Sequence, residues 1–179
     1  SSDLDEAKNP KIVKYEVCSA AQAAELERLY AEINKETVRL GTEHPTTLDL
    51  LDEYAELNYK TRSFETAEKY FRKAWEGRKR AQISYIIEER DELGPSSNIG
   101  AVGNTLQVWA MSIFNSQTRL AKTLEELQSF AEARDMYYLA LPGVEHIVQG
   151  GVYYDPNDKR IDERLEPILD GLAIVLHQL

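Results

Sequence analysis

A neighbouring glutamate and histidine, Glu43 and His44, lie in the stretch LGTEHPTTL at 40–48, and their types and proximity are those of a possible catalytic pair. A histidine oriented by a carboxylate can act as a general base, and with further ligands it can hold a metal ion. Neighbours in a chain rarely converge on one ion, however, and no second histidine lies four residues away, as a zinc-binding helix requires. The spacing therefore favours a structural role for His44.

The remaining reactive side chains form no catalytic pattern. Cys18 is the only cysteine, so it can form neither an internal disulfide nor a CxxC site. Acidic residues at 88–92 and 125–126 could supply paired carboxylates, but charge on a solvated helix face is the more common explanation. The glycines of GAVGNT at 100–105 lack the lysine of a phosphate-binding loop. We predict no catalytic residue, no metal site and no cofactor, and the sequence favours a non-enzymatic protein without deciding the question.

Composition narrows the classes of partner. The 21 Lys and Arg against 31 Asp and Glu give a net charge of −10, which disfavours nucleic acid. The basic run at 72–80 is expected to be spread over a helix surface and solvated. No apolar run approaches the roughly 18 residues of a membrane helix, and a single thiol suits a reducing compartment. We therefore expect a cytoplasmic protein without nucleic-acid or membrane partners.

The elements around these residues are helical. Apolar residues recur at three- and four-residue steps, which predicts helices at about 19–40, 46–60, 64–93, 104–127, 130–141 with an extension toward 149, and 161–179. Ser19 suits an N-cap, Gly41 a helix end and Pro45 a helix start. A loop is predicted at 94–103, because this segment contains three glycines, Gly94, Gly100 and Gly103. The chain is thus predicted to be all-α, with an N-terminal extension at 1–18 and one helical domain at 19–179.

An internal repeat relates LDEYAELNYKTRSFETAEKYFRKAW at 51–75 to QTRLAKTLEELQSFAEARDMYYLAL at 117–141. Small and aromatic residues recur at matched positions, namely Ala55 with Ala121, Phe64 with Phe130, Ala67 with Ala133, Phe71 with Tyr137, and Ala74 with Ala140. Such units are helical hairpins that stack because none buries its apolar face alone. The pairs are predicted at about 46–92 and 104–149, followed by a terminal helix at about 161–179, which gives six to seven helices.

A family resemblance rests on these motifs. The pattern Leu51-x-x-Tyr54-Ala55-x-x-Asn58, followed by FETAEKYFRKA at 64–74, resembles a tetratricopeptide repeat (TPR). More narrowly, LGTEHPTTLDLL resembles the junction between repeats of kinesin light chains and of fungal nucleotide-binding immune-type receptors. The resemblance implies antiparallel helical hairpins stacked as a short right-handed superhelical array. The matched copies lie 66 residues apart, whereas the family spacing is about 34 or about 42, so the array is degenerate and elongated.

The resemblance also implies a concave groove, lined by the first helix of each pair, that binds peptides. The residues carried over from the first repeat are Asp49, Asp52, Glu56, Tyr59 and Lys60. Those from the second repeat are Asn115, Thr118, Lys122, Glu125 and Glu126. The basic clamp of some family members is absent where Asp52 and Glu56 stand, so a basic or neutral protein segment is the expected partner.

Three functional hypotheses remain open from the sequence. The first is an interaction module or scaffold that binds a peptide segment or a partner helix in this groove. The second is a small-molecule sensor or atypical enzyme with an aromatic pocket, drawn from Tyr85, Trp109, Tyr138, Tyr153 and Tyr154. The third is self-association through the apolar face of the helix predicted at 161–179.

Overall fold

Six α-helices account for the described residues. The structure is a computed structural model that describes residues 18–93, 99–149 and 159–179, with side chains at 18–85, 109–141 and 166–179. The helices are α1 (Ala20–Leu40), α2 (Pro45–Lys60), α3 (Phe64–Leu93), α4 (Ile99–Glu126), α5 (Phe130–Gln149) and α6 (Lys159–Gln178). The predicted all-α class is confirmed. In the part of the chain that the structure describes, no helix is long and apolar enough to cross a membrane.

The stretch LGTEHPTTL forms the joint between α1 and α2. Gly41 ends α1 with a φ of +95°, which glycine adopts without a Cβ penalty, and its N–H donates to the carbonyl of Thr37. His44 is the N-cap of α2, and its Nδ1 accepts a hydrogen bond from the N–H of Thr46 at 3.2 Å. Pro45 occupies the first turn, where its missing N–H leaves no unpaired donor. His44 therefore caps a helix, as a structural role requires.

The other helix boundaries follow the apolar periodicity with one exception. Ser19 caps α1 through a reciprocal pair of hydrogen bonds with Gln22, as an N-cap should. The loop predicted at 94–103 is wrong at its second half, because α4 begins at Ile99 and includes Gly100 and Gly103. A helical glycine costs only about 1 kcal/mol relative to alanine, which a long helix tolerates. GAVGNT is consequently helical and not a phosphate-binding loop. The predicted extension at 1–18 lies outside the described residues, apart from Cys18.

The internal repeat is visible in the hydrogen bonds of two turns. At the end of α2, the N–H groups of residues 61, 62 and 63 donate to the carbonyls of residues 57, 59 and 58 at 2.8–3.0 Å. At the end of α4, residues 127, 128 and 129 donate in the same order to residues 123, 125 and 124 at 2.8–3.1 Å. Arg62 and Gln128 both adopt the left-handed conformation, with φ of 62° and 59°. Every position is displaced by 66 residues, so the two helical hairpins are built alike.

The core lies where each helix packs against the next one along the chain. Four of the matched pairs are almost fully buried in it, and they comprise Ala55 with Ala121, Ala67 with Ala133, Phe71 with Tyr137, and Ala74 with Ala140. The alanines permit close helix contact, and the aromatic rings fill the space between helices. Gly171 extends this packing to α6, since a Cβ there would collide with the ring of Tyr137.

Alternate helices also contact one another. Side chains of α2 reach α4 near Asp52 and Ser116, and α4 packs against α6. On the other side, the Arg72 guanidinium of α3 pairs with Glu132 of α5 at 2.7 Å. The odd-numbered α3 and α5 are thus neighbours, and α2, α4 and α6 form a row of their own. That row positions the candidate site.

Candidate functional site

The structure brings together the two predicted sets of groove residues, because α2 and α4 are neighbours. The Tyr59 hydroxyl donates to the Glu126 carboxylate at 3.4 Å. The Arg119 guanidinium of α4 lies 3.9 Å from the Asp52 carboxylate and 4.0 Å from that of Glu56. Helices α2 and α4 therefore present one continuous polar surface, to which Arg119 adds a positive charge that the sequence-based assignment omitted.

One end of this surface is a buried ion-pair cluster. Arg78 of α3 is buried, and its Nη1 donates to the Asp52 carboxylate and to the Ser116 hydroxyl, each at 2.6 Å. Its Nη2 donates to Asp49 at 2.7 Å. The expectation that the basic run at 72–80 is solvated is thus wrong for Arg78, because its charge is satisfied by acids from α2. Asp52 and Asp49 belong to a structural contact between helices.

Burial of the Asp52 carboxylate carries a desolvation penalty even with Arg78 as its partner. Burial raises the pKa of Asp52 above its usual value, and the neighbouring guanidinium groups of Arg78 and Arg119 oppose that shift. Its Oδ1 is buried without a hydrogen-bond partner among the described residues. A charged group held in this way needs its counter-ion, because desolvation is compensated only by the ion pair. Asp52 therefore stabilises the packing of α2 against α3 through Arg78, and it is poorly placed to contact a ligand.

The remaining predicted residues near this end make local contacts. Lys60 pairs with Glu56 one turn earlier at 3.3 Å. The Thr118 hydroxyl donates to the carbonyl of Phe114 at 3.1 Å, and Asn115 is exposed. These residues lie on the same two helices, but they do not line the cleft described next.

A cleft of about 350 Å³ opens at the other end of the row. From α2 and α4 it is lined by Tyr59, Lys122, Glu125 and Glu126, all four of which the sequence assigned to the groove. Tyr137 of α5 forms part of its floor. The opposite wall is α6, which contributes Glu166, Pro167, Asp170, Gly171 and Ile174. Four carboxylates thus surround the cleft against one lysine, which makes it strongly acidic.

A hydrogen bond joins the buried Tyr137 to the partly buried Glu125 in the lining of the cleft. The Tyr137 hydroxyl donates to Glu125 in a short contact. Burial raises the pKa of Glu125, while the hydrogen bond from Tyr137 and the charge of Lys122 oppose the shift. Burial likewise raises the pKa of the Tyr137 hydroxyl, and the carboxylate of Glu125 adds to the effect. Tyr137 therefore stays protonated and keeps Glu125 in a fixed orientation as an acceptor.

Sequence reasoning missed the whole α6 wall. It treated residues 161–179 only as an apolar face, of which Ile168, Leu172 and Val175 are indeed buried. Glu166 and Asp170 are spaced four residues apart and so share the polar side of the same helix. The four-residue spacing of Glu166 and Asp170 predicts that they share a helix face. That this face lines the cleft follows only from the packing of α6 against α4.

The lining of the cleft carries a net negative charge, because four carboxylates face one lysine. In the described part of the chain, no group of three or more His, Cys, Asp and Glu side chains is placed to hold a metal ion. Glu43 pairs with Arg80 at 2.5 Å while His44 caps α2, so these neighbours do not form a catalytic pair. Carboxylates that line an open cleft attract positive charge.

Three of the aromatic residues proposed for a small-molecule pocket have described side chains, and none of the three lines this cleft. Tyr138 is about half exposed and does not line the cleft, and neither do the partly buried Tyr85 and Trp109. Tyr153 and Tyr154 lie outside the described residues. The aromatic groups that line the cleft are instead Tyr59 and Tyr137.

Comparison of the chain with known protein families, with curated proteins and with solved structures found no match. The features of the chain that bear on its function are the geometry and charge of the cleft and the repeated hairpins that build it.

Proposed function

We propose that this chain is a protein-interaction module, built as a degenerate TPR-like array, whose acidic cleft binds a positively charged segment of a partner protein. The observation that carries the proposal is the lining of the cleft, where Glu125, Glu126, Glu166 and Asp170 face a single Lys122. Complementary charge at an interface speeds encounter and selects the partner. A lysine- or arginine-containing segment has that complementary charge.

The repeated architecture supports a binding role over an enzymatic one. The two hairpins share their turns and buried positions, and the cleft lies on the alternate helices α2, α4 and α6. Stacked helical hairpins build extended binding surfaces of this kind. The cleft offers carboxylates and tyrosines, and it contains neither a histidine nor a cysteine.

The proposal is tested by reversing charge inside and outside the cleft. Glu126→Lys with Asp170→Lys alters two exposed cleft residues on different helices. Glu27→Lys with Glu53→Lys alters two exposed residues outside the cleft. Each pair removes two negative charges and adds two positive ones, which changes the net charge from −10 to −6, so the two variants match in total charge. Asp52 is left intact because the Arg78 cluster needs it.

Binding is measured with a displayed library of short random peptides, followed by calorimetry on the enriched sequences. Peptides enriched on the native chain should be rich in Lys and Arg, and the cleft variant should bind them at least about tenfold more weakly, a loss of about 1.4 kcal/mol. The control variant should bind within about twofold of the native chain. Enrichment of acidic peptides, or equal losses in the two variants, would contradict the proposal.

A second candidate function is self-association through α6. Leu169 and Leu176 are 54% and 51% exposed, and they share one side of the helix because they lie two turns apart. Exposed apolar side chains grouped in this way mark contact surfaces. We expect a concentration-dependent dimer in light scattering that Leu169→Lys with Leu176→Lys abolishes and Val38→Lys on α1 preserves. A native chain that stays monomeric at micromolar concentrations would exclude this candidate.

A further inference from the structure

No further inference is drawn: the strongest candidate, the surface patch of α1, α2 and α3 where the rings of Tyr30, Tyr54 and Tyr70 contact one another and the ammonium groups of Lys69 and Lys73 lie 5.9 and 5.3 Å from the centre of the Tyr70 ring, consists of exposed lysines on a partly exposed aromatic cluster, and nothing in the structure shows what covers it.

Discussion

At the scale of single residues, Arg78 links three helices through buried polar contacts. Its guanidinium joins α3 to Asp49 and Asp52 of α2 and to Ser116 of α4, and only 5% of its side chain is exposed. Removal of one member of such a buried pair leaves an uncompensated charge in a dry environment. Exposed pairs behave differently, because water screens them and competes for the same groups.

Arg78→Met should therefore lower the free energy of unfolding by about 3–5 kcal/mol, measured by urea denaturation. Arg28→Met is the matched control, since Arg28 also pairs with two acids, Glu25 at 2.6 Å and Glu32 at 2.5 Å, but is 54% exposed. The control should stay close to the native stability. Adding Asp52→Asn to Arg78→Met should recover part of the loss, and equal losses from the two single variants would contradict the assignment.

Glu125 links the cleft to the pH dependence of stability. Its folded-state pKa is raised above the usual 4.5, so the folded state binds the proton more tightly than the unfolded state does. Stability from this group is therefore present below pH 4.5 and is lost as the pH rises through the raised pKa. Glu125→Gln removes the titration and retains an oxygen that can accept from Tyr137.

We expect the free energy of unfolding of Glu125→Gln, minus that of the native chain, to grow as the pH rises from about 4.5 and then to level off. Urea titrations from about pH 4 to about pH 8 measure this difference. Because the other acids are common to both chains, their contributions largely cancel. A difference that is constant with pH, or that shrinks as the pH rises, would contradict the burial of Glu125.

At the scale of the elements, the repeated turns show which features of the hairpins are local. Each turn places a non-glycine residue in the left-handed conformation, Arg62 after α2 and Gln128 after α4. That conformation costs an L-residue roughly 1–2 kcal/mol, because its Cβ approaches the following carbonyl. Both side chains are exposed, so neither gains packing in return.

Arg62→Gly and Gln128→Gly should each raise the free energy of unfolding by roughly 0.5–1 kcal/mol, since the relief of strain exceeds the extra chain entropy of glycine. The two gains should add in the double variant, because each substitution relieves the strain of its own backbone position. Denaturation midpoints measure both effects. Thr61→Gly is the control, and it should destabilise because the Thr61 hydroxyl donates to the carbonyls of Leu57 and Asn58. A loss in both glycine variants would contradict the argument.

The helix ends illustrate the limits of local signals. Gly41 and Pro45 marked the α1–α2 joint correctly, since each acts through its own backbone. Gly100 and Gly103 suggested a loop where α4 is helical, because glycine disfavours a helix by an amount that the rest of a 28-residue helix outweighs. A glycine or proline therefore ends a helix only where the neighbouring residues do not favour a continuous helix.

At the scale of the whole molecule, the net charge of −10 acts in the same direction as the acidic cleft. A surface of one predominant sign attracts a cationic partner over a distance set by the Debye length, about 10 Å at 0.1 M salt. The long-range field affects association more than dissociation, which depends on short-range contacts.

For a fluorescent two-lysine peptide, the association rate constant should therefore fall steeply between about 50 mM and about 500 mM salt, while the dissociation rate changes little. Stopped-flow mixing measures both rates. The Glu27→Lys, Glu53→Lys chain, which keeps the cleft but carries a net charge of −6, should associate more slowly than the native chain and dissociate at the same rate. An association rate that is insensitive to salt would contradict electrostatic attraction.

The sequence by itself determined the helices, the joint at 40–48 and the equivalence of the two hairpins, because apolar periodicity, capping residues and turn chemistry act between residues close in the chain. The resemblance to a tetratricopeptide repeat also assigned Tyr59, Lys122, Glu125 and Glu126 to one groove, and these four residues line the cleft. Only the tertiary structure showed that Arg78 is buried against Asp52, that α6 forms the second wall of the cleft, and that Tyr137 holds Glu125. These contacts join residues far apart in sequence, and their energies depend on burial and distance, which are set by how the helices stack.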